Sequence, residues 1–354
     1  MKDKINTWLF LIFILSFSLL HIFMPDKEIS TTERRKLATF PIVELNNEYS
    51  QKLEKYLLDQ FPFRDDFRSI KANFNYHILH RLDNNNIYLK DNYIFKSNYP
   101  TNRESINNFI VKTNKIKNML SDNNNVYLMI IPDKNYYLND KDFLQIDYDY
   151  IYKKVEKLDI PFIDIRNIMN LNDYYETDTH WKQEKLDKVV LKMSNIMNFN
   201  YKKINYNQNV YNKFYGVYYG ESAIKRNPEK IVYLTNDIIN HADDKYLEHN
   251  NFNKVYNLDK LKGLDSYEVF LDGASSFIEN NNLDCKNDKE LVIFRDSFGS
   301  SLSPLLINYY SKITLIDNRY INSANFLKYI EFKNQDILFL YSTLMVNNSV
   351  TLKG

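Results

Sequence analysis

Glu290-Leu-Val-Ile-Phe-Arg-Asp-Ser-Phe-Gly299 decides the fold. Its first half is a short, continuous apolar run, the pattern of a strand buried on both faces of a parallel sheet. Its second half is a polar turn, and a helical stretch over 301–310 follows. Strand, turn and helix in succession are the repeating unit of a layered α/β protein. Downstream the alternation continues with a strand over 312–316, a helix over 322–330 and a strand over 335–341. Upstream it starts with a helix over 105–120 and the apolar run Val126-Tyr-Leu-Met-Ile-Ile-Pro132, which stops at proline. A helix over 148–158, a short strand over 161–165 and a helix over 182–197 follow. Residues 199–275 are rich in Tyr, Asn and Lys, with short strands expected at 230–234 and 266–271, and read as a β-rich excursion. A hairpin is expected over 86–95 around Lys90-Asp-Asn92, and a broken helix over 49–82 with its break at Phe61-Pro-Phe63.

The chain has 354 residues, 44% of them hydrophobic, enough for a large core. Its net charge is +1 and no basic stripe stands out, so nucleic acid is not an expected partner. The single cysteine, Cys285, excludes an internal disulfide and any multi-cysteine metal site. His77 and His80 stand three apart on a helix without a carboxylate on the same face, so no metal site is expected there. Ile5 to Met24 is an apolar run of 20 residues. As a helix it would extend about 30 Å, the thickness of a bilayer core. Lys2 and Lys4 precede it, and the exit His21-Ile-Phe-Met-Pro25 offers no small-residue cleavage site. A signal anchor over 1–25 is the expectation, followed by a stalk and helical segment over 26–84 and the main α/β domain over 85–354. Lys2 and Lys4 favour a cytoplasmic N-terminus, while Arg34-Arg35-Lys36 lies close on the other side.

Ser297 falls just past a predicted strand, where open α/β sheets bind ligands. Thr177-Asp178-Thr179-His180-Trp181 supplies the base and the carboxylate that a serine nucleophile needs. Asp178 and His180 are two apart, so on an extended backbone they share a face. The Ser297 amide, near a helix N-terminus, is a candidate oxyanion donor. Ser297 as a helix cap and His180 as a surface cap remain open alternatives. The sequence holds no Gly-x-Ser-x-Gly elbow and no Walker or Rossmann glycine pattern.

Seven blocks carry a family resemblance. They are Glu33-Arg-Arg-Lys-Leu-Ala-Thr-Phe-Pro41, Phe61-Pro-Phe-Arg-Asp65, Pro132-Asp-Lys134, Asp178-Thr-His-Trp181, Phe214-Tyr-Gly216, Arg295-Asp-Ser-Phe-Gly299 and Asp317-Asn-Arg-Tyr320. On these the chain resembles the DHHW family, close to the alginate O-acetyltransferase (SGNH-hydrolase-like) family. The resemblance implies an SGNH-hydrolase-like layered sheet with flanking helices, and Asp178, His180 and Ser297 as a catalytic triad. Thr179 departs from the family name's second letter, and Arg295 stands where SGNH enzymes usually carry glycine. Gly216 and Gly220 are candidate second oxyanion donors.

The resemblance further implies an extracytoplasmic enzyme that moves acetyl groups onto a secreted or wall polysaccharide. A membrane-bound O-acyltransferase would be the donor partner, and no cofactor is expected. Trp181, Tyr215, Tyr218 and Tyr219 are candidate sugar platforms, with ordinary packing as the alternative. Lys134 and Arg295 are candidates to orient an acidic glycan or the donor, with surface charge or a structural ion pair as the alternative. An esterase with the same triad, or a non-catalytic surface assembly protein, are the competing functions.

Overall fold

A computed structural model describes residues 2–43, 46–138, 142–248, 252–285 and 288–353. The chain divides into two compact units, Met1–Asn85 with Tyr219–Arg226, and Asn86–Tyr218 with Asn227–Gly354.

The first unit begins with α1 (Lys2–Phe23), and its stretch Lys4–Phe23 is long and apolar enough to cross a membrane. A two-stranded ribbon follows, β1 (Ile29–Ser30) against β2 (Arg35–Lys36), then α2 (Asn47–Asp59) and α3 (Arg64–Asn73). Asn46 caps α2 by accepting the Tyr49 amide. The break expected at Phe61-Pro-Phe63 separates the two helices, with Phe63 in the left-handed region. α3 runs on into a π turn over Phe74–Ile78, ahead of β3 (Asp83–Asn84). The ribbon makes the supposed stalk a packed element. Glu33 pairs with Arg35, Arg64 and Arg68, and Arg35 with Asp59. Two of the sequence blocks, 33–41 and 61–65, thus meet.

The second unit opens with the expected hairpin, β4 (Ile87–Lys90) with β5 (Tyr93–Lys96). α4 (Arg103–Lys117), β6 (Asn125–Ile131), α5 (Tyr148–Val155) and α6 (Asp187–Met197) follow. β7 (Asn207–Phe214) pairs with β8 (Glu229–Thr235) as a separate ribbon, with α7 (Val217–Ser222) between them. After α8 (Asp237–His241) come β9 (Asp243–Tyr246), β10 (Phe277–Asn281), β11 (Glu290–Arg295), α9 (Gly299–Leu306), β12 (Lys312–Ile316), α10 (Ser323–Phe326), β13 (Asp336–Ser342) and α11 (Thr343–Asn347).

The central sheet has six strands in the order β6-β13-β11-β12-β10-β9. The first four are parallel, and β10 and β9 are added antiparallel at one edge. β11 sits between β13 and β12, which is why its residues are apolar at successive positions rather than alternately. Leu291 and Ile293 point into one core with α6 and α9, and Val292 and Phe294 into the other with α4 and α5. Helices therefore cover both faces. Phe294 is fully buried, and truncation to alanine would cost about 3–5 kcal/mol.

Three expected elements differ. The strand at 161–165 reduces to one bridge between Leu128 and Phe162. The helix at 322–330 is a single turn, Ser323–Phe326. The strand at 266–271 is instead a 3-10 turn over Ser266–Val269, because the Asp265 carboxylate accepts the Tyr267 amide and bends the chain. The excursion over 199–275 therefore holds a ribbon and one edge strand, joined by short helices, rather than a continuous β region.

Candidate active site

β11 delivers Asp296 and Ser297 at its carboxyl end, and α9 starts two residues later. Asp296 builds the turn between them. One carboxylate oxygen accepts the Phe298 amide at 3.0 Å, and the other accepts the Ser342 amide at 2.8 Å and its hydroxyl at 2.6 Å. Ser342 ends β13, so the neighbouring strand fixes the turn. Within 291–300 only Ser297 is not fully buried. Among the described residues no acceptor pairs with its amide N–H, which leaves that donor available.

The histidine comes from a loop without regular structure. Residues 174–181 fold back on themselves through a bridge between Tyr174 and Trp181, and the Tyr175 amide donates to the His180 carbonyl. Asp178 is buried and holds His180 twice. Its Oδ1 accepts the His180 amide at 3.0 Å and lies 2.6 Å from the ring Nδ1. Its Oδ2 accepts the Val217 amide at 2.8 Å. With the Nδ1 proton facing Asp178, Nε2 is left to accept the Ser297 hydroxyl hydrogen across 2.8 Å. The three side chains are therefore within hydrogen-bond reach, although Asp178 and Ser297 are far apart in sequence.

Sequence reasoning missed what holds this loop. Glu229, at the start of β8, accepts the Glu176 amide at 2.6 Å and the Thr177 amide at 2.7 Å, and takes the Thr177 hydroxyl hydrogen as well. Tyr267 stacks on the His180 ring at 3.8 Å between centroids, with planes 6° apart. Its hydroxyl donates to Ser301 on α9. Both residues lie in the excursion, where the abundance of Tyr masks any local signal.

Five candidates are corrected. Trp181 is fully buried, and its indole N–H donates to the Phe298 carbonyl and the Ser301 hydroxyl, so it ties the two loops together and presents no face to a sugar. Lys134 is also buried, and its ammonium donates to the carbonyls of Tyr175, Glu176 and Asp178 at 3.1, 3.0 and 2.7 Å. It braces the histidine loop from beneath. Burial pushes that ammonium down to about 7, against the opposite pull of Glu229, Asp178, Asp133 and Glu176. Arg295 is buried behind the serine turn, and one of its nitrogens donates to the Ser300 hydroxyl at 2.8 Å. Gly299 gives the Arg295 side chain room, since an added Cβ there would meet it at 2.9 Å. Tyr218 is buried with its ring beneath the Lys134 ammonium. The Gly216 amide donates to the Thr177 hydroxyl at 2.9 Å and is not an oxyanion donor. Gly216 is glycine because a Cβ there would lie 2.2 Å from the Thr177 backbone.

The remaining candidates divide between the units. Tyr215 lies in the second unit and is 38% exposed. Tyr219 and Gly220 belong to the first unit, where Gly220 packs against the Thr32 backbone. Among the described residues no group of three His, Cys, Asp or Glu is placed to hold a metal ion.

No protein-family model and no curated protein matches the chain. Solved structures do. The chain shares the fold of a DHHW family protein. That protein, from Eubacterium siraeum, superposes with a TM-score of 0.64 and 19% identity, covering 77% of this chain and 97% of that one. Bacillus cereus PatB1, solved with a sulfonyl adduct, gives 0.61 and 17% over 76% of this chain and 97% of that one. The layered sheet is thus the fold that these two proteins share, and in this chain an apolar N-terminal helix precedes it in sequence.

Proposed function

We propose that the chain is an extracytoplasmic O-acetyltransferase that modifies a secreted or cell-wall polysaccharide through an acetyl-serine intermediate. The observation that carries this reading is the unbroken hydrogen-bonded line from Asp178 through His180 to Ser297. Its chemistry follows from the geometry. Ser297 Oγ attacks the donor's acetyl carbonyl while His180 Nε2 takes its proton. Asp178 stabilises the imidazolium that forms. The tetrahedral oxyanion is met by the Ser297 N–H. Collapse expels the donor's leaving group, which receives the proton from His180, and leaves acetyl on Ser297. A sugar hydroxyl then gives its proton to His180 and attacks the acetyl carbon. The acetylated sugar departs, and Ser297 regains its hydrogen.

Tyr215 is the aromatic face proposed to meet the sugar in this unit. The donor side is proposed to be a membrane-bound O-acyltransferase, with α1 as the anchor that keeps the two together. The test is acetyl transfer from p-nitrophenyl acetate to oligosaccharides of wall and exopolysaccharide type. The wild type should acetylate at least one oligosaccharide and Ser297→Ala none. Release of acetate without sugar acetylation would make the protein an esterase with the same triad. Turnover unchanged in Ser297→Ala would end the reading altogether.

A further inference from the structure

The helix α3 with its π turn is amphipathic in the wrong sense for a water-soluble protein. Phe63, Phe67, Ile70, Phe74 and Ile78 recur at three-to-four spacing and form one stripe. That stripe faces outward, with each side chain between 40% and 64% exposed. The polar side faces inward. Arg64 and Arg68 reach Glu33 at 2.7 and 3.2 Å, Ala72 is fully buried, and buried Asn75 donates to Asn84 at 2.8 Å. A soluble domain rarely leaves so long an apolar face uncovered.

The stripe is continuous with α1. Phe17 of α1 stacks on Phe61 at 5.6 Å and meets Phe67 edge-on at 5.6 Å. Phe17 is six residues short of the helix end at Phe23, about 9 Å along the axis. Helices that lie in a membrane interface sink roughly 5–10 Å below the headgroups, with charged residues flanking the apolar face. Lys71 is exposed on α3, beside the stripe.

We propose that α3 and its π turn lie in the interface of the bilayer that α1 enters, so that the stripe is covered by lipid. The proposal rests on the anchoring role given to α1 above. It seats the first unit in the membrane interface.

The test uses the full chain in lipid nanodiscs, with Cys285→Ser as background and single cysteines carrying an environment-sensitive fluorophore. The label sites are Ile70→Cys and Phe74→Cys on the stripe, Phe13→Cys in α1 and Lys115→Cys on α4. Lipids bearing a nitroxide at a shallow or a deep acyl position are the quenchers. Labels at 70 and 74 should lose at least half of their emission to the shallow quencher, the label at 13 to the deep one, and the label at 115 to neither. Unquenched labels at 70 and 74 beside a quenched label at 13 would overturn the proposal and leave the anchor intact. That holds too if those labels are shielded from water, since a protein partner would then cover the stripe. An unquenched label at 13 would remove the anchor and the proposal together.

Discussion

The serine turn and the histidine loop meet where His180 reaches Ser297 and the Trp181 indole reaches the Phe298 carbonyl, yet they are held by opposite means. The serine turn is an extension of the sheet. β11 aims it, α9 continues it, and the Asp296 carboxylate ties it to the end of the adjacent strand. The histidine loop has no strand or helix of its own. It is held by charged groups, buried Lys134 from the β6 side and half-buried Glu229 from β8, and by a ring laid flat on the imidazole. Strand pairing spreads its support over many bonds, whereas the loop depends on a few charge-assisted ones. Loss of a single support should therefore cost more on the histidine side.

The largest effects come from the meeting point itself. Ser297→Ala and His180→Ala should each lower acetyl-ester turnover by about 10³-fold or more, because both act in one step. The Ser297→Ala variant should stay within about 1 kcal/mol of wild type, since that side chain is partly exposed, whereas His180→Ala should lose about 2 kcal/mol, because buried Asp178 and the Tyr267 ring lose their partner. Equal turnover in either variant would dissolve the relay.

Lys134→Met ranks next. The buried carbonyls of Tyr175 and Asp178 lose the Lys134 ammonium and that of Glu176 keeps only the Ile94 amide, so the fold should weaken by about 3 kcal/mol in urea titration. Turnover should fall about 10²-fold as the imidazole moves off line. A variant with normal kinetics would show that the loop holds its shape without its brace.

Glu229→Gln against Ser342→Ala sets the two loops side by side. Glutamine keeps an acceptor but loses the charge that faces two amides and a hydroxyl, and turnover should drop about tenfold. Ser342→Ala removes one donor to Asp296 and leaves the Ser342 amide in place, so the change should stay within about twofold, with about 1 kcal/mol of stability lost. The reverse order would contradict the comparison.

The smallest expected effect lies away from both loops. Burial lifts the Asp244 carboxyl to about 7, so the native state keeps a proton that the unfolded chain releases near about pH 4. The stability linked to this group is complete below that lower value and is lost as pH rises to about 7. Asp244→Asn should melt a few degrees above wild type at pH 8 and close to it at pH 5. The same offset at both pH values would show that Asp244 does not carry that proton.

The same contrast explains what could be read in advance. The sheet was legible because its strands at 290–295, 312–316 and 335–341 are buried on both faces and appear as unbroken apolar runs. Ser297 was legible with them, since its place at a strand end follows from the pattern. Asp178 and His180 were legible as a spacing. Their supports were not, because Lys134 and Glu229 look like ordinary surface charges until a distant loop turns its carbonyls and amides onto them. Arg295 misled for the same reason, as a cation beside Ser297 whose side chain runs inward past Gly299. The stretch over 266–271 misled differently. Its Tyr, Val, Phe and Leu have strand character, but the Asp265 side chain captures the Tyr267 amide and makes a turn, and that turn brings the Tyr267 ring onto His180.

Rapid acid quench of the full chain with p-nitrophenyl acetate, followed by peptide mass spectrometry, addresses the central claim most directly. One acetyl group on the peptide containing Ser297, absent in His180→Ala, is the predicted result. Acetyl found on other side chains only, or on Ser297 to the same extent without the histidine, would contradict it.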